Sequence, residues 1–145
     1  MLIVVSLIAL VAGLSYPSVT SGLDSLRLRS ASDGIVSFLN VALDRAERRQ
    51  QAVELWISPG DNALAARTAD QGFSRRMDLP DPVRIIAVSP ALAASPAPDQ
   101  PRRFLLYPGG AAPRIGVEIA TPQGHKRLVS VDPITGSPRS EPVTP

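Results

Sequence analysis

The chain has 145 residues, with 15 lysines and arginines against 13 aspartates and glutamates, and it contains no cysteine. This length suits one domain with an appendage, and the lack of thiols excludes disulfides, thiolate zinc sites and cysteine nucleophiles. The formal charge of +2 argues against a dedicated nucleic-acid binder, because such proteins carry a larger cationic excess clustered on one face.

The first 23 residues carry no charged side chain, and twelve of the first 14 residues are apolar. A spanning helix needs about 20 mostly apolar residues, so the run by itself is short for a membrane span. No basic residue precedes it, as one would in a secretory signal peptide. The segment is therefore neither a complete signal peptide nor a complete span.

Proline placement divides the chain. After Pro17 the next proline is Pro59, and thirteen more follow in the remaining 86 residues. Because helix interiors exclude proline, we predict one long helix over residues 1–51 and short strands with proline-rich turns beyond it. The stretch "SVTSGLDS" (18–25) is a weak helix former, which predicts a loosened or partly unwound section between the two halves of the helix.

The second half of the predicted helix is amphipathic. One face is polar, and Asp44 and Arg48 on it can pair at the i,i+4 spacing. The other face is an apolar stripe, which is expected to pack on a sheet. The residues of the stripe are Ile35, Phe38, Leu39, Ala42, Leu43 and Ala46.

Beyond residue 51 the apolar period changes to two. In "AVELWIS", Val53, Leu55 and Ile57 share one face of a predicted strand that ends at Pro59. Further strands are predicted at 83–89 and 103–108, and a hairpin at 114–120 and 126–131 with a type I turn at "TPQG". The predicted fold class is α+β, with a long N-terminal helix packed on a small antiparallel sheet.

Several residues leave alternatives open. Trp56 points away from the apolar face of its strand, so it either binds a partner or closes the far side of a small core. The basic run at 45–49 is either a solvated helix face or a contact for acidic partners or lipid headgroups. His125 is expected to be a solvated turn residue.

Enzymatic function is not expected. With one histidine and no cysteine the chain offers no metal cluster, and no serine stands in a nucleophile-elbow context. The glycine-rich stretch at 108–113 lacks the lysine of a phosphate loop and predicts a turn. No cofactor is expected.

The layout, with "MLIVVSLIALVAGLSYPSV" at one end and "VDPITGSPR" at the other, resembles the type IV pilin-like proteins. It resembles most closely the minor pseudopilins of bacterial type II secretion, the H-type component. The stretch "RLRSASDGIVSFLNVALDRAERRQQAVELWISPG" resembles the family's junction of helix and first strand. In the family, a basic leader, a glycine at the cleavage point and a nearby glutamate precede the apolar run. We therefore expect Met1 to be an internal methionine, with roughly five mature residues upstream that bring the run to about 20.

The resemblance implies a division of labour. Residues 1–23 would form a membrane and assembly helix, residues 24–51 an amphipathic helix on the sheet, and residues 52–145 a periplasmic sheet domain. Pro17 would kink the helix, and Ala9 and Gly13 form a small-xxx-small pair that permits close helix approach, although such spacing is common in apolar runs.

The implied protein is a single-pass inner-membrane subunit that later joins the pseudopilus. Its implied partners are other pseudopilins, the inner membrane and a prepilin peptidase that acts upstream of Met1 and methylates the new N-terminus; no nucleic acid is expected. Two alternatives stay open: a minor pilin of a type IV pilus in assembly or DNA uptake, and a membrane-anchored periplasmic domain without a role in a fibre.

Overall fold

The computed structural model describes residues 1–91, 97 and 99–144, and of residues 14–20 it describes the backbone alone. A long helix, α1 (Leu2–Arg49), precedes eight strands. The strands are β1 (Val53–Ser58), β2 (Ala63–Thr68), β3 (Ser74–Asp78), β4 (Arg84–Ser89), β5 (Arg102–Leu106), β6 (Gly116–Ala120), β7 (Lys126–Val131) and β8 (Pro138–Pro142). They form two antiparallel sheets, a first sheet in the order β3-β2-β1-β5 and a second sheet in the order β4-β6-β7-β8. The α+β class and the N-terminal helix are as predicted.

Helix α1 comprises 48 residues and measures about 72 Å at 1.5 Å per residue. It ends at Gln50, whose left-handed backbone (φ 50°) lets its N–H reach the carbonyls of Ala46 and Glu47. The predicted loosening at 18–25 is wrong, because the helix continues through these residues. Serine, threonine and glycine cost at most about 1 kcal/mol each in a helix, which flanking helical turns can outweigh. Pro17 lies outside the residues whose side chains are described.

The second half of α1 packs into the domain core. Of the predicted stripe, all members except Leu43 are buried, and Leu43 is half-buried against the same core. Burial begins earlier than the stripe, at Leu28 and Ala31. On the opposite face, Arg48 Nε lies 2.9 Å from Asp44 Oδ2, as the i,i+4 spacing predicts. The helix is therefore part of the domain core from Leu28 to its C-terminal end.

The first sheet begins as predicted and then extends into the region that sequence patterns left unassigned. Val53, Leu55 and Ile57 of β1 are each 0% exposed on the sheet's inner face. Strand β1 pairs with β2 on one side and with β5 on the other. Strands β2 and β3 were not predicted, because β2 (ALAART) is rich in alanine and β3 (SRRMD) is almost wholly exposed.

The second sheet corrects the expectation of one small sheet. Its hairpin β6–β7 matches the prediction, and Gly124 N–H donates to the Thr121 carbonyl at 3.0 Å, with Pro122 at the second position of the turn. Strand β4 pairs with β6 and not with the first sheet, although β4 follows β3 directly in sequence. Strand order across sheets depends on long-range pairing, which local periodicity does not encode.

The helix and both sheets share one core. Side chains from α1, from the inner face of the first sheet and from Val117, Ile119 and Val129 of the second sheet form a single buried cluster. At Gly34 the helix approaches β3 so closely that an added Cβ would lie 2.7 Å from Met77 Cε. A side chain larger than that of glycine at position 34 would therefore displace the Met77 side chain.

The edges of both sheets carry residues that hinder further strand pairing. Edge strand β3 has Arg75 and Arg76, and edge strand β5 begins with Arg102 and Arg103. In the second sheet, β8 begins and ends with proline, which has no N–H to donate, and β4 has a register shift between Ile85 and Ala87. Charges, prolines and bulges are the usual protection of an open edge.

Candidate functional surfaces

The most distinctive surface is an exposed apolar segment of α1, here called the apolar projection (residues 1–13). Every residue in it is exposed, with Leu2 at 86% and Leu10 at 63%. The large apolar side chains that it exposes are Met1, Leu2, Ile3, Val4, Val5, Leu7, Ile8, Leu10 and Val11. A contiguous apolar surface of this kind normally contacts a membrane or another protein.

The polar and small residues of the apolar projection suit apolar surroundings. Ser6 Oγ donates to the Leu2 carbonyl at 2.8 Å, so its hydroxyl needs no partner outside the helix. Ala9 and Gly13 stand four residues apart on one helix face, and among the described residues no atom outside the adjoining helix backbone lies within 4 Å of a Cβ placed at Gly13. The structure thus places both predicted packing residues on an open face, available to another helix.

Among the residues whose side chains are described, no helix is both long and apolar enough to cross a membrane.

Below the apolar projection lies its junction with the domain. Asp24, the first charged residue of the chain, is only 7% exposed, and its Oδ1 lies 3.5 Å from Arg27 Nη1. Leu23 and Leu26 next to it are exposed. The turn at 121–125 and the start of β7 lie beside the helix here, where Ser25, Leu28 and Arg29 face His125 and Lys126 across a shallow cavity of about 440 Å³.

A second surface is the outer face of the first sheet around Trp56, here called the Trp56 cluster. The indole is half-buried, and Arg67 of β2 and Arg103 of β5 each place their guanidinium 5.9 Å from its ring. Trp56 is not part of the buried core, which lies on the opposite face of β1. The side chain therefore does not close the far side of the core; arginines cover it, and cation–π attraction is the stabilising contact.

Glu54 neutralises part of that cluster. Its Oε2 accepts from Arg67 Nε at 3.0 Å, and its Oε1 lies 3.6 Å from Arg103 Nη1. The hydrogen bond from Arg67 lowers the pKa of the Glu54 carboxyl below its ordinary value; partial burial opposes this, and the charge of Arg103 adds to it. Trp56 Nε1 is buried and makes no hydrogen bond of normal geometry within the described residues, but it is near enough to the Glu54 carboxylate to help lower its pKa. The sequence identified Trp56 but not its two arginines, because β2 was not predicted and the pairing of β1 with β5 was not predicted either.

The structure also shows the surroundings of the basic run 45–49, the glycine-rich stretch 108–113 and His125. Within the basic run 45–49, Arg45 lies 5.3 Å over the Phe73 ring and Arg48 pairs with Asp44. The 108–113 stretch is a turn, and Gly109 N–H donates to Glu47 Oε1 at 2.8 Å, which fixes this loop to the end of α1. His125 is exposed in its turn, as predicted. In the ranges that the structure describes, no three His, Asp or Glu side chains lie together as metal ligands.

Comparison with known proteins yields no relative: no family model, no curated protein and no solved structure matches the chain.

Proposed function

We propose that the chain is a minor pseudopilin, a structural subunit of the periplasmic pseudopilus that drives export of folded proteins by type II secretion. The observation that carries the proposal is the apolar projection: one helix extends an exposed apolar segment out of a domain that its own second half helps to build. In this reading the fold is pilin-like, and the subunit performs no chemistry and needs no cofactor.

The apolar projection would act twice. Before assembly it would hold the subunit in the inner membrane, together with the rest of the charge-free stretch as far as residue 23. In the fibre the projections of many subunits would bundle, and helix–lipid contacts would be exchanged for helix–helix contacts. Ala9 and Gly13 would permit close approach on one face, and the self-satisfied hydroxyl of Ser6 adds no cost in either setting.

The sheet domain would face the periplasm in both states. Its two sheets share a core with α1, so displacement of the helix on assembly carries the domain with it. The lack of cysteine means that the domain's stability does not depend on oxidation in that compartment. Partners would be other pseudopilins, through helix contacts at the fibre axis and domain contacts outside it.

The first test is mass spectrometry of the mature N-terminus from native host membranes. An N-methylated phenylalanine a few residues before Met1 would support processing by a prepilin peptidase. A mature chain that begins at Met1 would contradict it and leave a simple membrane-anchored domain.

The second test is crosslinking in native membranes, for which the chain offers a background without cysteine. Ala9→Cys and Gly13→Cys should form disulfides with cysteines introduced at matching positions of neighbouring pseudopilins, and the crosslinked products should be absent in a host that lacks those pseudopilins. Equal crosslinking in both hosts would contradict a fibre role.

Deletion of the gene should trap exoproteins behind the outer membrane. A salt-sensitive electrophoretic shift with DNA would instead favour the minor-pilin alternative.

A further inference from the structure

The junction between the apolar projection and the domain carries a cluster of basic residues, here called the basal surface (Arg27, Arg29, His125 and Lys126). The helix supplies Arg27 and Arg29, and the hairpin between β6 and β7 supplies the other two. Arg29, His125 and Lys126 line the shallow cavity of about 440 Å³ at this end of the domain, together with Arg127, and no carboxylate lies among its described lining residues.

The basal surface has more positive charge than its own acids neutralise. Arg27 pairs with Asp24 at 3.5 Å, and Lys126 Nζ lies 3.5 Å from Glu118 Oε1. Both cations are about half exposed, so these pairs are weak and can be exchanged for other anions. Within the described part of the chain, no carboxylate pairs with Arg29. An exposed anion-attracting surface therefore remains.

Apolar side chains accompany these cations. Leu23 is 47% exposed, Leu26 is 63% exposed, and Val143 lines the cavity at 36% exposed. Exposed apolar residues interleaved with arginine and lysine are typical of surfaces that lie in the interface of a membrane, where the apolar parts enter and the charges stay at the headgroups.

The position along the helix matches the depth of lipid headgroups. The charge-free stretch ends at residue 23, and from Leu23 to Arg29 the helix rises about 9 Å. The headgroup layer beyond the hydrocarbon core is roughly 5–8 Å thick on each side. With the end of the charge-free stretch at the hydrocarbon boundary, Arg27 stands about 6 Å along the helix, within the headgroup layer. Arg29 stands at the outer edge of that layer, and its long side chain, inclined toward the helix N-terminus, can reach back to the phosphates.

We propose that the basal surface binds the headgroups of anionic phospholipids and so seats the domain on the membrane before assembly. This proposal rests on the proposed function, because it requires the apolar projection to enter the membrane. The charge complementarity, the exposed leucines and the depth all favour a lipid surface over a soluble anion. Release from the membrane would require these contacts to break, so anionic lipid would oppose extraction of the subunit into the fibre.

The test measures partition of the full chain onto vesicles. One set contains phosphatidylcholine alone, and a second contains about 30 mol% phosphatidylglycerol, which gives an anionic surface. The test variant is Arg29→Gln/Lys126→Gln, and the matched control is Arg49→Gln/Arg75→Gln, which removes two exposed cations elsewhere. Since each surface cation contributes roughly fivefold to binding, the test variant should lose about 25-fold on the anionic vesicles and little on the neutral ones.

The outcomes separate this proposal from the proposed function. Normal neutral binding with equal loss in test and control variants would overturn the lipid site and leave the membrane helix intact. Failure of the native chain to bind neutral vesicles would count against the proposed function itself, and the inference would fall with it. Competition by inorganic phosphate at constant ionic strength would reassign the surface to a free anion. Competition by a short DNA duplex would reassign it to nucleic acid.

Discussion

The side chain of Asn62 and the backbone of Ile85 join the two sheets: Asn62 Oδ1 accepts the Ile85 N–H at 2.9 Å. Asn62 Nδ2 donates to the Val83 carbonyl at 2.8 Å, so one amide satisfies two backbone groups of the segment that enters β4. The residue is 6% exposed and has a left-handed backbone (φ 53°), which asparagine tolerates better than most residues. This amide fixes the start of the second sheet against the β1–β2 turn.

Asn62→Gly should destabilise the domain by about 2–4 kcal/mol, because it leaves two buried backbone groups without partners at roughly 1–3 kcal/mol each. Glycine accepts the left-handed backbone, so the loss reports the amide and not strain. Urea unfolding of the full chain in a non-ionic detergent measures the change. Asn40→Ala, on the exposed face of α1, is the control and should change stability by less than about 0.5 kcal/mol. Equal effects of the two variants would contradict the bridging role.

Gly34→Ala should have little net effect in the native chain. Replacing glycine within a helix gains about 1 kcal/mol, but the new Cβ would meet Met77 Cε at 2.7 Å and displace that side chain. In a Met77→Ala background the obstacle is gone, so the same change should stabilise by the full amount of about 1 kcal/mol. The double-mutant cycle by urea unfolding measures the difference. If Gly34→Ala has the same effect in both backgrounds, the Met77 side chain does not restrict a Cβ at position 34.

Glu54→Gln should reduce stability near neutral pH and have no effect in acid. The lowered pKa of Glu54 means that its ionised form stabilises the folded state above the ordinary carboxyl range. That contribution is lost as pH falls through the lowered folded pKa. Urea midpoints of native and variant chains should therefore differ at pH 7 and converge toward pH 3. Asp44→Asn, which breaks the exposed pair with Arg48, should shift the midpoint less at pH 7. A difference that persists unchanged at pH 3 would exclude the ionised carboxylate as its cause.

Asp132→Ala should loosen the edge strand β8. Asp132 Oδ1 accepts the N–H groups of Ile134 and Thr135 at 2.8 and 3.2 Å, and Oδ2 pairs with Arg139 on β8. Loss of these contacts opens the turn that returns the chain to β7. Amide exchange of Glu141 and Val143, which lie at the positions of β8 that hydrogen-bond to β7, should therefore accelerate. Asp81→Ala, in an exposed loop with a weaker pair to Arg84, should leave that exchange unchanged. Unaltered protection of β8 in Asp132→Ala would show that strand pairing alone holds it.

The fold was predictable where the apolar residues of an element recur with one clear period. The apolar spacing from Ile35 to Ala46 predicted the packed helix, and the alternation of Val53, Leu55 and Ile57 predicted the inner face of β1. The division into two sheets was not predictable, because it depends on pairings such as β4 with β6 and on the amide of Asn62, which links residues more than twenty positions apart. The Trp56 cluster was half predictable, since its arginines come from neighbouring strands.

The protected edges of the two sheets affect how neighbouring copies of the domain can associate. In the proposed pseudopilus, subunits would meet side by side at high local concentration, where open strand edges would join into extended aggregates. Arginines on β3 and β5 and prolines at both ends of β8 oppose such joining. Neighbouring domains are then left with surface-to-surface contacts, which can form and separate repeatedly. A subunit that enters and leaves an assembly needs reversibility of this kind.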